Sequence, residues 1–176
     1  PGHVELVGDG EVELQNFEPA GKDFALQVVD VFKGAGLNPK YSDNVKYSIW
    51  RKACVNGTLN VLCALLDCNI GELGKTREAP ELLHTIIDEF AAVAKHEGVD
   101  LDTAEVYDHV AATFTADIAD HYPSMHQDLV QHHRVTEVDF IDGAVARKGK
   151  KYGIATPYCT LLTQLVHAKE QLVGAK

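Results

Sequence analysis

From Pro19 to the C-terminus, apolar residues recur every three to four positions, which is the repeat of an amphipathic α-helix. Glycine, proline and capping residues divide this pattern into separate helices. Before Pro19 the repeat is two, as in a β-strand. The sequence therefore predicts a mainly α fold, with a helical domain over residues 19–176 that follows a short β segment over residues 1–18.

The β segment has the pattern of a hairpin. In HVELVGDGEVELQN, apolar and polar residues alternate on both sides of Gly8-Asp9-Gly10, a tripeptide typical of a tight turn. Because a lone hairpin is only marginally stable in water, we expect it to complete a sheet that lies elsewhere or to pack on the helices.

The helical part is predicted to contain seven helices. They run over 22–33, from 43 or 44 to 66 or 67, from about 80 to 98, from 102, over 125–132, over 136–152, and from 156. The first is expected to bury Phe24, Val28, Val31 and Phe32. The third is expected to bury Leu83, Ile86, Ile87, Phe90 and Val93, and the last Leu161, Leu162, Leu165 and Leu172.

Charge and composition exclude some classes of protein. The formal net charge is -10, with 26 acidic against 16 basic residues, so a nucleic-acid partner is not expected. No apolar run reaches the roughly 20 residues of a membrane-spanning helix. The four cysteines lack the spacing of metal ligands, and three of them lie on one apolar helical stretch. These features predict a soluble protein of the reducing cytoplasm.

The longest predicted helix carries an unusual polar stripe. Ser48, Lys52, Asn56 and Asn60 are spaced by four, so each lies about 6 Å along the helix from the last and is rotated by only about 40°. A solvated face would favour good helix formers, whereas asparagine lowers helix propensity and Gly57 costs about 1 kcal/mol more. Spacing alone does not decide between ordinary surface and a functional site.

Such a stripe has the groups that carbonyl chemistry needs. A lysine ammonium can donate a proton to a carbonyl oxygen that becomes an alkoxide. Carboxamides can donate hydrogen bonds to a substrate carboxylate or carbonyl without adding charge. Gly57 would let another backbone or a ligand come close.

A second polar cluster, HYPSMHQDLVQHHRVTEVDFIDGAV, covers residues 121–145. Ser124 and Gln127 have the spacing of a capping box, but with Pro123 at the first helical position the Ser124 hydroxyl would be free to face a cleft. Glu137, next to Thr136, is expected in the first turn of a helix, where the helix dipole favours an acidic residue. Taken singly, each residue is better explained by a structural role.

Taken together, four segments resemble the C-terminal helical domain of the ketopantoate reductase family. They are WRKACVNGTLN, HYPSMHQDL, TEVDFIDGAV and GIATPYCTLLTQLVHAKE, and the likeness runs in order from about Gly2 to the end. The resemblance implies a multi-helix domain of the 6-phosphogluconate-dehydrogenase-like type. It also implies that the hairpin is the last piece of an N-terminal Rossmann domain, which this chain lacks because no strand, Gly-rich turn and helix follow one another.

The resemblance further implies a reaction and a role for each polar residue. Intact members use NADPH or NADH to reduce a C3-branched 2-oxo acid, ketopantoate, to the (R)-2-hydroxy acid D-pantoate. Lys52 matches the catalytic proton donor, and Asn56 and Asn60 match asparagines that bind substrate. Ser124 matches a serine that contacts substrate, and Glu137 matches a catalytic glutamate that supports substrate and cofactor binding.

Two departures from the family pattern favour a more apolar substrate. Ile70-Gly71 stands where ketopantoate-specific members often have Asn-Gly, and one extra residue separates Ser124 from Glu137. The resemblance also implies an alternative, an NAD-dependent D-2-hydroxyacid, or D-mandelate, dehydrogenase, because some enterococcal and lactobacillal members of the wider family have that activity. An alternative from another class is a non-catalytic helical dimerisation domain. In either enzymatic interpretation we expect a homodimer, and we expect this chain to be inactive without its cofactor domain.

The cluster of four histidines and the basic run near residue 150 are each interpreted as structural features. His121, His126, His132 and His133 do not have metal-ligand spacing, so no metal is expected and we interpret them as surface or capping residues. The basic run RKGKKYG could attract a cofactor phosphate, but cations are stabilising at a helix C-terminus, which is the preferred interpretation.

Overall fold

The computed structural model describes residues 2–3 and 10–176. The described part contains two short strands and eight α-helices, and residue contacts divide the chain into two units, Pro1–Ser48 and Ile49–Lys176. In chain order the elements are β1 (Val12–Leu14), α1 (Lys22–Gly34), β2 (Pro39–Tyr41), α2 (Val45–Leu66), α3 (Ile70–Gly74), α4 (Ala79–His96), α5 (Thr103–Thr113), α6 (Ser124–His126), α7 (Asp142–Tyr152) and α8 (Pro157–Val173). The mainly helical fold is confirmed.

In the first unit, a two-stranded parallel sheet is joined by a helical crossover. Val12 pairs with Pro39 and Leu14 with Tyr41, and α1 connects the two strands, as parallel pairing requires. The predicted hairpin falls largely on residues 4–9, which lie outside the described residues. β2 was not predicted, because a three-residue strand that begins with proline is too short to show alternation.

The predicted buried face of α1 is wrong in part. Phe24 and Val31 are 70% and 68% exposed, and the fully buried residue of this helix is Val29. The physical reason is area: a sheet of two three-residue strands covers only a narrow strip of the helix. Periodicity predicts that an apolar face exists, but not how much of it the rest of the unit covers.

The second unit is organised around α2. From Cys54 onward most of this helix is buried, and its residues Val61 and Ala64 pack with Met125 of α6 and Val166 of α8. One core cluster contains Val61, Ala64, Met125, Leu129, Val138 and Val166. In residues 10–176, neither α2 nor another helix is long and apolar enough to cross a membrane.

Gly57 allows α2 to approach α4 closely. A Cβ at this position would lie 2.4 Å from Cζ of Phe90, whose ring is fully buried, and 3.2 Å from Cγ2 of Ile141. The group next to Gly57 is therefore an aromatic side chain, and not the backbone or ligand that the sequence suggested. The α4 face was predicted correctly, because all five of its expected core residues are buried.

Two features at the C-terminal end differ from prediction. The helix expected from residue 136 begins only at Asp142, after a 3-10 turn over Val138–Phe140. In α8, the residues Leu161, Leu165 and Leu172 are exposed, whereas Cys159, Thr163 and Val166 are buried.

The orientation of α8 follows from how it begins. The carboxylate of Glu89 accepts hydrogen bonds from the backbone N–H groups of Tyr158 and Cys159, at 2.9 and 2.8 Å. These bonds satisfy two N-terminal donors of α8 and fix its start against α4 with Cys159 facing inward. Because α8 has apolar residues on both sides, the sequence pattern did not reveal which side packs.

The basic run and two of the three cysteines predicted on the long helix occur in the environments predicted, whereas Cys68 lies after the end of α2 and is only half-buried. All four cysteines are free thiols, and three of them, Cys54, Cys63 and Cys159, are buried. The RKGKKYG run covers the last turns of α7, which ends at Gly153 in the left-handed conformation. Its lysines therefore lie at a helix C-terminus, where cations are stabilising.

Candidate active site

The polar stripe of α2 passes from solvent into the interior of the second unit. Lys52 is exposed, Asn56 is half-buried and Asn60 is only 7% exposed. Each step of four residues climbs about 6 Å along the helix. The ammonium group at one end is thus accessible to a ligand, while the amide at the other end is held in packed surroundings.

Asn60 begins a chain of hydrogen bonds that joins three of the predicted site residues. Its Nδ2 group donates to Ser124 Oγ at 3.4 Å, and Ser124 Oγ donates to Glu137 Oε1 at 2.9 Å. The two hydrogen bonds run in the same direction along the chain. The Ser124 oxygen accepts from Asn60, and the Ser124 hydroxyl proton is donated to Glu137. Residues 64 and 13 positions apart are brought into one polar network.

The local backbone explains why the Ser124 hydroxyl is available. Pro123 is the N-cap of α6, Ser124 is the first helical residue, and there is no side-chain capping bond. The capping-box alternative is therefore wrong, and Ser124 lies in the first turn with its side chain turned to Asn60 and Glu137. Glu137 is likewise not a first-turn acid of α7, because it precedes the 3-10 turn at Val138.

The core cluster positions this hydrogen-bonded network through residues adjacent to it in sequence. Asn60, Ser124 and Glu137 each precede a member of the cluster by one position, namely Val61, Met125 and Val138. Met125 and Val61 are fully buried, and Val138 is 1% exposed. Packing of these apolar neighbours therefore brings the three polar side chains together on one side of the core.

A buried histidine, whose role the sequence did not predict, supports α6. His126 is 3% exposed, its Nε2 lies 2.8 Å from Asp67 Oδ1, and its ring packs against Tyr122. This pair ties the helix that carries Ser124 to the end of α2. The interpretation of His126 as a surface or capping residue is therefore wrong. The paired residues are far apart in sequence, so spacing gave no signal.

Lys52 and Asn56 share the helix with Asn60, but they are not part of the hydrogen-bonded chain. Within residues 10–176, the hydrogen bonds of this network join only Asn60, Ser124 and Glu137. A nearby cavity of about 240 Å³ is lined by Ile49, Trp50 and Ala53 of α2 and by other mainly apolar side chains, and not by the five site residues. Of the five site residues, Lys52 and Ser124 are exposed, Asn56 and Glu137 are half-buried and Asn60 is buried.

No group of His, Cys, Asp and Glu side chains arranged to hold a metal occurs in the described part of the chain.

Lys148, in the basic run of α7, donates to Glu97 Oε1 at 2.7 Å. The carboxylate of Glu97 also accepts from the Tyr152 hydroxyl, and both contacts lower the pKa of that carboxyl. This pair joins α7 to the end of α4 and has no evident chemical role.

Known proteins similar to this chain have the same helical arrangement. A curated 2-dehydropantoate 2-reductase from Lactococcus lactis is 55% identical over the whole chain, which covers 57% of that protein. The structure of a D-mandelate dehydrogenase with NADH and anilino(oxo)acetate is 53% identical, with a TM-score of 0.93 over 98% of this chain and 71% of that one. A ketopantoate reductase structure from Ralstonia eutropha is 28% identical, with a TM-score of 0.86 over 99% of this chain and 56% of the other. The chain thus spans a little over half the length of the curated relative.

The family model for the C-terminal part of ketopantoate reductase matches residues 44–170. That range includes α2 and the Asn60, Ser124 and Glu137 network, so the similarity covers the site as well as the fold. This chain therefore belongs to the ketopantoate reductase family, whose C-terminal domain it contains.

Proposed function

We propose that this chain is the substrate-binding and catalytic half of a nicotinamide-dependent reductase that converts ketopantoate, or a related C3-branched 2-oxo acid, to the (R)-2-hydroxy acid. The observation that carries the proposal is the hydrogen-bonded chain of Asn60, Ser124 and Glu137. Asn60 lies on the same helix as Lys52 and Asn56. Membership of the ketopantoate reductase family supports the assignment.

Each side chain has a role that its chemistry suits. Lys52 is the proton donor to the oxygen that becomes an alkoxide, because its ammonium is accessible at the solvent end of the stripe. Asn56 and Asn60 bind the substrate through their amide groups, which orient a carboxylate or carbonyl without adding charge. Ser124 contacts substrate and fixes the carboxylate of Glu137, and Glu137 supports substrate and cofactor binding.

The residues present fit a nicotinamide cofactor on one side of the site. Glu137 uses one carboxylate oxygen for Ser124, and a carboxylate has lone pairs for further donors, such as a ribose hydroxyl or a carboxamide. NADPH or NADH, when bound, supplies the hydride. We propose that most of the cofactor site belongs to a Rossmann domain that precedes residues 19–176 in the intact protein, with residues 1–18 as its last segment.

A second candidate substrate class is an aryl or otherwise apolar 2-oxo acid, as in D-mandelate dehydrogenases. The 53% identity to a D-mandelate dehydrogenase bound to NADH and anilino(oxo)acetate favours it. Ile70, which departs from the family pattern, is buried, and its backbone N–H donates to His121 O in the segment that leads to Ser124.

Comparison of substrates in the intact protein tests the assignment. We expect kcat/KM to be higher for ketopantoate than for phenylglyoxylate when each is measured with NADPH and with NADH. Activity with neither acid would contradict the proposed chemistry. A preference for phenylglyoxylate with NADH would instead assign the protein to the D-mandelate dehydrogenase class.

We further propose that the intact protein is a homodimer. Its support is an exposed side of α8 with apolar residues at intervals of three, four and seven, namely Tyr158, Leu161, Leu165 and Leu172. Such a face suits association with another surface. The same face is compatible with the non-catalytic alternative, a helical dimerisation domain, and only the chemistry of Lys52 separates the two.

A further inference from the structure

Two consecutive residues of α8, Lys169 and Glu170, contact the two segments that carry the site. We propose that they act as positioning residues, which hold the end of α2 and the Glu137 segment in one frame. This inference rests on the proposed function for the roles of Asn60 and Glu137. The contacts themselves are a property of the fold.

Glu170 holds the residue immediately before Glu137. Its Oε1 accepts a hydrogen bond from the backbone N–H of Thr136 at 2.7 Å and from Thr136 Oγ1 at 2.8 Å. Thr136 Oγ1 in turn accepts from the backbone N–H of Val138 at 3.3 Å. The backbone is therefore tied on both sides of Glu137, so the direction of the Glu137 side chain towards Ser124 is set by a carboxylate on another helix.

Lys169 holds the helix that carries the stripe. Its Nζ donates to Ala64 O at 2.6 Å and to Leu65 O at 3.4 Å. These are carbonyls of the last turn of α2, which have no partner within that helix and lie at the negative end of its dipole. The contact begins one turn after Asn60, so it fixes the axial position of the amide that donates to Ser124.

The two contacts act on the same hydrogen-bonded chain from its two ends. Lys169 fixes α2 and hence Asn60, while Glu170 fixes Thr136 and hence Glu137, and Ser124 lies between them. Val166, one turn earlier on α8, is fully buried in the core cluster and anchors the helix. Because adjacent residues of one rigid helix make both contacts, α2 and the Glu137 segment cannot shift independently.

The pair gave no signal in the sequence as a functional site. A lysine and a glutamate near the end of an amphipathic helix are typical of solvated surface, and here both are partly buried. Their partners are backbone groups and Thr136, at sequence separations of 105 and 34. Neither residue reaches the reacting atoms, so any effect on the reaction acts through Asn60, Ser124 and Glu137.

Glu170→Ala and Glu170→Gln in the intact protein form the main test. Glutamine keeps a carbonyl oxygen with two lone pairs, so it can accept both Thr136 bonds, whereas alanine cannot. We expect Glu170→Ala to lower kcat/KM for the preferred 2-oxo acid by about 10- to 100-fold, because small displacements of reacting groups have effects of this size. The assay is run well below the unfolding temperature of the variant. Glu170→Gln should remain close to wild type. Glu78→Ala, at an exposed pair with Arg77, is the matched control and should change nothing.

Amide hydrogen exchange at Thr136 reports on the contact without any turnover. We expect the Thr136 N–H to lose protection in Glu170→Ala and to keep it in Glu170→Gln. Thr136→Val, which removes only the hydroxyl bonds, gives a milder variant if Glu170→Ala does not fold, and should lower kcat/KM in the same direction. Lys169→Met should also lower kcat/KM, with Lys169→Arg restoring it.

The outcomes separate the contact from its effect on the reaction. Loss of Thr136 protection with unchanged kcat/KM would overturn the positioning role, and retained protection in Glu170→Ala would overturn the contact itself. A fall in kcat/KM that occurs in Glu170→Gln as well as in Glu170→Ala would also overturn the positioning role. Absence of turnover in the wild-type protein with every 2-oxo acid tested would instead contradict the proposed function, and would remove the positioning role with it even if the exchange data confirmed the contact.

Discussion

Replacement of Lys52 by alanine in the intact protein is expected to lower kcat by about 10² to 10⁴, because it removes the proposed proton donor to the developing alkoxide. The side chain is exposed at the start of the polar stripe, so its removal leaves no cavity in the core and should not change the free energy of unfolding appreciably. The measurement is steady-state turnover of the preferred 2-oxo acid, with the fraction of folded protein checked by circular dichroism.

Lys46→Ala is the matched control for this prediction. Lys46 is also exposed and on α2, but six residues from Lys52 is a rotation of about 240°, so it lies on a different face. We expect normal turnover for Lys46→Ala. Normal turnover for Lys52→Ala as well would contradict the catalytic role, and would favour a helical dimerisation domain in which the stripe has no chemical function.

Asp142→Asn is expected to change how stability depends on pH. Asp142 is fully buried at the start of α7, and neither carboxyl oxygen has a partner among the described residues. Burial, together with the charge of Glu89 nearby, raises the pKa of Asp142 from 3.8 to about 8. Over most of the neutral range the folded chain therefore keeps a proton on this carboxyl that the unfolded chain has lost.

The sign of the effect follows from that difference in bound protons. The contribution of Asp142 is fully present below pH 3.8, falls as the pH rises, and is lost above about pH 8. Its slope reaches at most about 1.4 kcal/mol per pH unit. Since the asparagine side chain in the variant does not titrate, the variant should gain stability relative to wild type as the pH rises, by an amount on the order of several kcal/mol in mildly alkaline solution.

Urea unfolding of both proteins across this pH range measures the prediction. Other groups, such as Glu97 and Glu105, whose pKa values are lowered by Lys148 and Arg51, titrate in both proteins and cancel in the difference. A difference in the free energy of unfolding that stays constant with pH would show that Asp142 ionises normally in the folded chain. The same experiment separates this titration from any effect of the nearby thiols, because burial raises the pKa of Cys54 to about 12.

The parts of the fold that local pattern determines were predictable. The start and end of α2 and α4, and the buried residues of α4, follow from apolar spacing, glycine and proline. Asp102 caps α5 by accepting a hydrogen bond from the Glu105 N–H, three residues along the chain. Each of these features depends on residues within a few positions of one another.

The parts that depend on distant partners were not predictable from pattern. Which side of α8 packs is decided by Glu89, about 70 residues earlier, and the late start of α7 places Glu137 in a turn. For the site, spacing placed Lys52, Asn56 and Asn60 on one stripe but could not show that Ser124 and Glu137 meet Asn60. Those two residues were proposed only from the family resemblance, and the structure places Asn60, Ser124 and Glu137 in one network.

We propose that Lys52 and the network around Ser124 form one site. A double-mutant cycle with Lys52→Ala and Ser124→Ala, measured as kcat/KM for the preferred 2-oxo acid in the intact protein, tests it most directly. Groups that act together in one transition state have non-additive effects. We predict that each single variant loses activity and that the double variant loses far less than the product of the two losses. Full multiplication of the two effects, or normal activity in Ser124→Ala, would contradict the account.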